Sequence, residues 1–132
     1  MSAATLGALL WVASGSAVGG MLRFLVSGLV ARRVGETFPW GTLAVNATGA
    51  IAIGVAAAAF PPGTSPDAWA LLVTGVLGSY TTVSSFSLQT LALLREGSLV
   101  SVAGNVIGSL LLCLGGAAIG FASMAALLGR SA

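Results

Sequence analysis

Gly75-Val76-Leu77-Gly78-Ser79-Tyr80-Thr81-Thr82-Val83-Ser84-Ser85-Phe86 sets two glycines, two threonines and three serines in the middle of a long apolar stretch. Lipid offers no hydrogen-bond partner to a loosened backbone. A polar, helix-poor run at that depth is therefore expected only where protein or a water-filled path surrounds it. The run reads as a functional break in a transmembrane helix, within residues 75–82.

The rest of the chain supports a membrane setting. Hydrophobic residues make up 57%, charged residues 6%, and mean hydropathy is +1.05. Soluble domains carry roughly 25% charged residues. Four apolar stretches, 5–31, 40–60, 68–94 and 98–128, are each at least 21 residues long. About 20 helical residues cross a hydrocarbon core of about 30 Å. The expected fold class is an all-α membrane protein of four transmembrane helices, one domain over residues 1–132. The longer stretches must tilt, project beyond the bilayer or be interrupted. No basic residue precedes the first stretch, and it runs to Ala31 without a stop, so it is expected to be a retained span rather than a signal peptide. The lone Cys113 excludes an intrachain disulfide, and the lack of histidine leaves almost no transition-metal ligand set. Of the five basic residues, all arginine, only Arg32 and Arg33 are adjacent, so no nucleic-acid patch is formed.

Short connections at 32–39, 61–67 and 95–97 carry the turn signals Pro-Trp, Pro-Pro-Gly and Glu-Gly. An even number of spans puts both termini on one side. Arg32, Arg33 and Arg95 then share the other side, against Arg130 at the C-terminus. This thin arginine excess favours cytoplasmic loops but leaves both orientations open. Gly15/Gly19, Gly104/Gly108 and Gly116/Gly120 are small-xxx-small pairs, suited either to helix contacts within the chain or to a subunit interface. Four spans are too few to enclose a polar pathway alone, so oligomerisation is expected.

Polar residues inside the spans fall in stripes. Ser16, Gly20, Arg23 and Ser27 share one helix face, as do Thr42, Asn46 and Gly49. Ser101, Asn105, Ser109 and Cys113 recur at steps of four. Val83, Phe86 and Gln89 share a face if the helix resumes after the break. These faces should meet one another or line a wet passage. Glu36, Asp67 and Glu96 all fall in connections, so no span carries a carboxylate. That opposes a proton-coupled exporter of the small multidrug type, which needs an embedded acid. An intramembrane enzyme is opposed too, because no serine has a base to activate it. The one embedded charge, Arg23, lies about 14 Å along the helix from Arg32. With hydroxyl and amide donors it suits an anion. The plainer alternatives are a snorkelling Arg23, a helix-to-helix hydrogen bond for Asn46, and small-residue packing for Ser101, Ser109 and Cys113.

Gly19-Gly20-Met21-Leu22-Arg23-Phe24, Gly41-Thr42-Leu43-Ala44-Val45-Asn46-Ala47-Thr48-Gly49 and Thr74-Gly75-Val76-Leu77-Gly78-Ser79-Tyr80-Thr81-Thr82-Val83-Ser84-Ser85-Phe86-Ser87 resemble the three motifs of the Fluc/CrcB fluoride channels, in the family's order. The resemblance covers essentially the whole chain. It implies an antiparallel dual-topology dimer with two pores, embedded in lipid as a multi-pass protein of the cell membrane. Its activity would be passive export of fluoride, which relieves fluoride toxicity. It further implies that Arg23 lies near an aqueous vestibule, that Thr42, Asn46 and Thr82 line the route, and that Phe86 holds one of two aromatic ion positions. Ser109 would lie on a polar track of the last helix, with Asn105 and Cys113 at neighbouring track positions. The backbone carbonyls of Gly78 and Thr81 would match a structural sodium ion at the dimer interface. Several residues depart from the family's pattern. Val83 stands where the first phenylalanine is usual, Gln89 where an acid is usual, Asn105 for a tyrosine and Cys113 for a second serine. The resemblance is therefore compatible with a homodimer, or with a hetero-pair in which a homologous subunit joins this one and a pore is degenerate.

Overall fold

The computed structural model describes residues 2–60 and 63–129. The Pro61-Pro62 part of the second turn signal and Arg130 lie outside them. Helix α1, Ala3–Val34, starts where the Ser2 hydroxyl accepts the Thr5 N–H at 3.2 Å. It ends at Gly35, whose φ of +95° a side chain would resist. Arg32 and Arg33 occupy its last turn, where the helix dipole favours positive charge. Helix α2, Trp40–Ala59, follows Pro39. The third span opens with the single turn α3, Pro66–Ala68, with proline at its start. It widens into a π-helical segment, Trp69–Leu77, and closes on the short turn α4, Gly78–Tyr80. After a gap at 81–83 the span resumes as α5, Ser84–Arg95. Gly97, at φ +76°, turns the chain into α6, Leu99–Leu127.

Four helical stretches, Ala4–Val34, Trp40–Ala59, Pro66–Arg95 and Leu99–Leu127, are long and apolar enough to cross a membrane. The chain is thus a multi-pass membrane protein, as its hydropathy predicts. The break is narrower and later than the sequence suggests. Gly75 and Gly78 are both helical, and the non-helical backbone is confined to 81–83, where Thr81 is extended. Gly75 serves close approach instead of loosening. A Cβ there would lie 2.9 Å from the Gly15 Cα and 2.9 Å from the Val12 carbonyl oxygen.

Two tightly seated helix pairs make the frame. α1 packs along the π-helical segment through Gly15 and Gly19, where a Cβ would overlap the carbonyl oxygens of Leu71 and Val76. α2 packs along α6 through Gly54 and Gly120, where a Cβ would overlap the carbonyl oxygens of Ala117 and Ile51. Gly41 joins the pairs, its α carbon facing Ser27 of α1. Two of the three predicted glycine pairs, 15/19 and 116/120, are therefore contacts within the chain. Gly104 and Gly108 face outward, with only the Phe38 ring near the former. Buried apolar side chains are few: Leu43, Val45, Ala58, Leu93 and Ala125. Phe24, Val100 and Leu127 are among the many large apolar groups left on the outside, as expected of a surface that meets lipid or another subunit.

Candidate functional site

A helix interrupted at membrane depth must find partners for the backbone groups it frees. Here α2 supplies them. Asn46 donates from Nδ2 to the Thr82 carbonyl at 2.8 Å and accepts the Thr82 N–H on Oδ1 at 2.8 Å. One side-chain amide so replaces the two strand-like bonds that a neighbouring backbone would otherwise make. Thr82, itself buried, then caps α5: its hydroxyl accepts the Ser85 N–H and donates to the Ser85 hydroxyl, each at 3.2 Å. One turn earlier, Thr48 and Tyr80 share a hydroxyl hydrogen bond at 2.9 Å. Thr48 spends its hydrogen on the Ala44 carbonyl at 2.7 Å, so Tyr80 is the donor. Gly49 lets this turn lie flat on α2, since a Cβ would strike the Thr81 methyl.

On one side of the mended break lies a polar groove. Its inner part, about 240 Å³, is lined by Gly20, Arg23, Ser27, Thr42, Thr82 and Ser85. Ser27, Thr42 and Ser85 also line an outer part of about 450 Å³, which reaches Gln89 and the loop at Glu36. The two are continuous through those three residues. On the other side of Thr82, a cleft of about 340 Å³ is lined by Asn46, Gly78, Thr81, Thr82, Val83 and Cys113. Thr82 belongs to both.

The predicted residues are thus divided. Arg23, Thr42 and Thr82 come together in the groove, as the stripe on α1 suggests. Asn46, Val83 and Cys113 meet the carbonyl-bearing Gly78 and Thr81 in the cleft. Phe86 and Ser109 are half-buried and line neither. Asn105, 1% exposed, is wedged between α6 and α5, where its Nδ2 donates to the Thr90 hydroxyl at 2.8 Å. Val83, Phe86 and Gln89 do not form one working face. Val83 precedes the first residue of α5 and is 77% exposed, whereas Gln89 lines the groove. Sequence reasoning overlooked Ser85, Thr48 and Thr90 as participants. Ser85 had a signal, a hydroxyl residue three positions after Thr82 at a helix start. The others depend on contacts across the fold.

The groove can offer a guanidinium, hydroxyl donors and the partial positive charge of the first-turn N–H groups of α5. The Gln89 Oε1 atom is buried without a hydrogen-bond partner. Among the described residues no group of three or more His, Cys, Asp or Glu could hold a metal ion. Donors gathered beside a mended break in a four-span membrane protein form a setting suited to a small anionic or polar species.

The chain belongs to the CrcB family: residues 10–121 match the family described as "CrcB-like protein, Camphor Resistance (CrcB)". A relative from Rhodopseudomonas palustris (strain BisB18), "Fluoride-specific ion channel FluC 2", is 56% identical over 119 residues, 87% of this chain and 91% of its own length. A protein of the same name from Bradyrhizobium diazoefficiens is 55% identical over 81% of each chain. "Fluoride-specific ion channel FluC" of Opitutus terrae is 51% identical over 80% of this chain and 83% of its own.

Proposed function

We propose that the chain is a passive, fluoride-selective channel that exports fluoride across the cell membrane. The observation that carries this reading is the continuous groove from Gln89 to Arg23, rich in donors and free of carboxylates within the span. Fluoride is small and strongly hydrated, so a route must replace its water with donors yet hold it weakly. Arg23 raises the local anion concentration, while the Thr42 and Ser85 hydroxyls hand the ion toward the break; Thr82, whose hydrogens are spent on Asn46 and Ser85, holds the wall in place. Beyond it, Phe86 presents a ring edge, which carries partial positive charge and attracts an anion less tightly than a guanidinium. Cys113 lines the cleft on α6, and Ser109, which borders neither space in one copy, would join the route only where a second copy closes it. The relatives' printed names support fluoride as the ion.

The functional unit is a dimer, in our reading with the two copies antiparallel. At mid-span the polar Ser84 and Ser87 lie exposed on a single chain beside Gly78 and Val83, and lipid offers their hydroxyls no partner. A second copy would cover them. Among the described residues, no hydrogen bond reaches the carbonyl oxygens of Gly78 or Thr81. Such oxygens fit a hard cation, and two per copy would make a site only when copies meet. A sodium ion held there would satisfy the unpaired carbonyls and tie the two copies together. The departures at Val83, Gln89, Asn105 and Cys113 are compatible with one second reading, a hetero-pair with a homologous subunit. Fluoride efflux from liposomes holding this chain alone decides between them. Rapid fluoride release with hardly any chloride release is expected. Flux equal to protein-free vesicles, restored by a co-expressed homologue, would select the hetero-pair, and no flux with either would sink the channel reading.

A further inference from the structure

We infer that Asn105 is a positioning residue that sets Phe86 through Thr90, and does not itself meet the ion. Packing holds α5 only weakly. Its one buried residue is Leu93, two turns beyond Phe86, whereas the other half of the third span is seated on α1 through glycines. The first turns of α5 are fixed by polar ties instead. On the α2 side the tie is the Asn46 amide on Thr82. On the α6 side it is a two-bond relay: Asn105 Nδ2 donates to Thr90 Oγ1 at 2.8 Å, and Thr90 Oγ1 donates to the Phe86 carbonyl oxygen at 2.6 Å.

The direction of the relay is forced. A hydroxyl has a single hydrogen, and a carbonyl can only accept, so the Thr90 hydrogen goes to Phe86. Toward Asn105 the same oxygen must then accept, which fixes which end of the Asn105 amide faces it. An amide committed in this way, and 1% exposed, has no room for an ion beside it. It also lines neither the groove nor the cleft. What it controls is the backbone atom of the residue proposed to face fluoride. Each bond in such a relay polarises the next, so loss of the first weakens the second.

The consequence for flux rests on the channel reading, whereas the consequence for Phe86 does not, and the test separates them. A fluorinated phenylalanine is placed at position 86 for 19F NMR, and fluoride efflux is measured on the same proteins. The variants are Asn105→Asp, which keeps the shape and removes the donor, Thr90→Val, which removes the hydroxyl, their combination, and Thr90→Ser. Asn105→Asp and Thr90→Val are each expected to shift or broaden the position-86 signal and to lower flux on the order of tenfold, the weight of one strong interhelical hydrogen bond in a membrane. The double variant should be no worse than either, and Thr90→Ser should restore both readouts. An unchanged signal in Thr90→Val, or losses that multiply in the double variant, would overturn the relay. So would an Asn105→Asp protein that loses flux with its position-86 signal intact, since Asn105 would then touch the ion. If Asn105→Asp does not assemble, the Thr90→Val and Thr90→Ser pair decides the matter by the same criteria. A shifted signal with full flux would uphold the relay and remove Phe86 from the ion route.

Discussion

Replacing Asn46 by leucine keeps the side-chain volume close and removes both bonds that mend the third span. The freed N–H and C=O belong to Thr82, which is 7% exposed, so water cannot compensate them. Interhelical hydrogen bonds in membranes average about 0.6 kcal/mol and reach about 1.7, because a chain loosened in lipid usually finds substitute partners. Two average bonds would total about 1.2 kcal/mol and two strong ones about 3.4. The strong end applies here. Both groups are backbone, both bonds are 2.8 Å, and the next hydroxyl on α2, Thr48, is already engaged with Ala44 and Tyr80. A loss of about 3 kcal/mol lowers the population of the mended break by about a hundredfold relative to its alternatives. The assay is fluoride efflux from liposomes, with size-exclusion chromatography confirming that the variant assembles. Efflux should fall by one to two orders of magnitude, a range set by the same bond energies. Asn46→Asp, which still accepts the Thr82 N–H but sets an oxygen against the Thr82 carbonyl, should lose flux as well. Wild-type flux in Asn46→Leu would show that the break holds without its brace and that Asn46 does not carry it.

Three further outcomes are expected. Gly120→Val drives a side chain into the Ile51 carbonyl and should abolish the folded chain, whereas Gly7→Ala, which meets nothing within 4 Å, should leave thermal stability unchanged; scanning fluorimetry in detergent compares them. Val83→Phe adds a ring at a position 77% exposed and should keep or raise fluoride flux, so a sharp loss would show that the valine is itself required. Replacing sodium by a large organic cation should weaken dimers or slow flux if the Gly78 and Thr81 carbonyls hold the ion; identical elution and flux in both media would count against that site.

The spans were legible because length and hydropathy over twenty residues leave little choice in lipid. The break was legible in kind, since six hydroxyl residues fall within Ser79–Ser85, but not in position. Glycine has two uses that a sequence does not distinguish: loosening a backbone, and letting another backbone come close. Gly75 has the second. The Arg23 and Ser27 stripe translated directly into the groove because α1 is one uninterrupted helix. For α5 the same periodicity argument failed at Val83, because the register begins only at Ser84. The Thr90 and Asn105 bond had no precursor in the pattern at all. It joins residues across the turn at Gly97, and only the packing of α6 on α5 brings them together.

The contrast between the two halves of the third span bears on how such a protein changes over generations. On the glycine-seated half Gly75 admits no side chain, because a Cβ there would lie 2.9 Å from both the Gly15 Cα and the Val12 carbonyl oxygen. Along the other half, Val83, Ser84, Ser87 and Leu88 touch little of their own chain. A substitution there costs the chain's own fold little, so two copies, or a copy and a homologue, can come to differ along this face while sharing one scaffold.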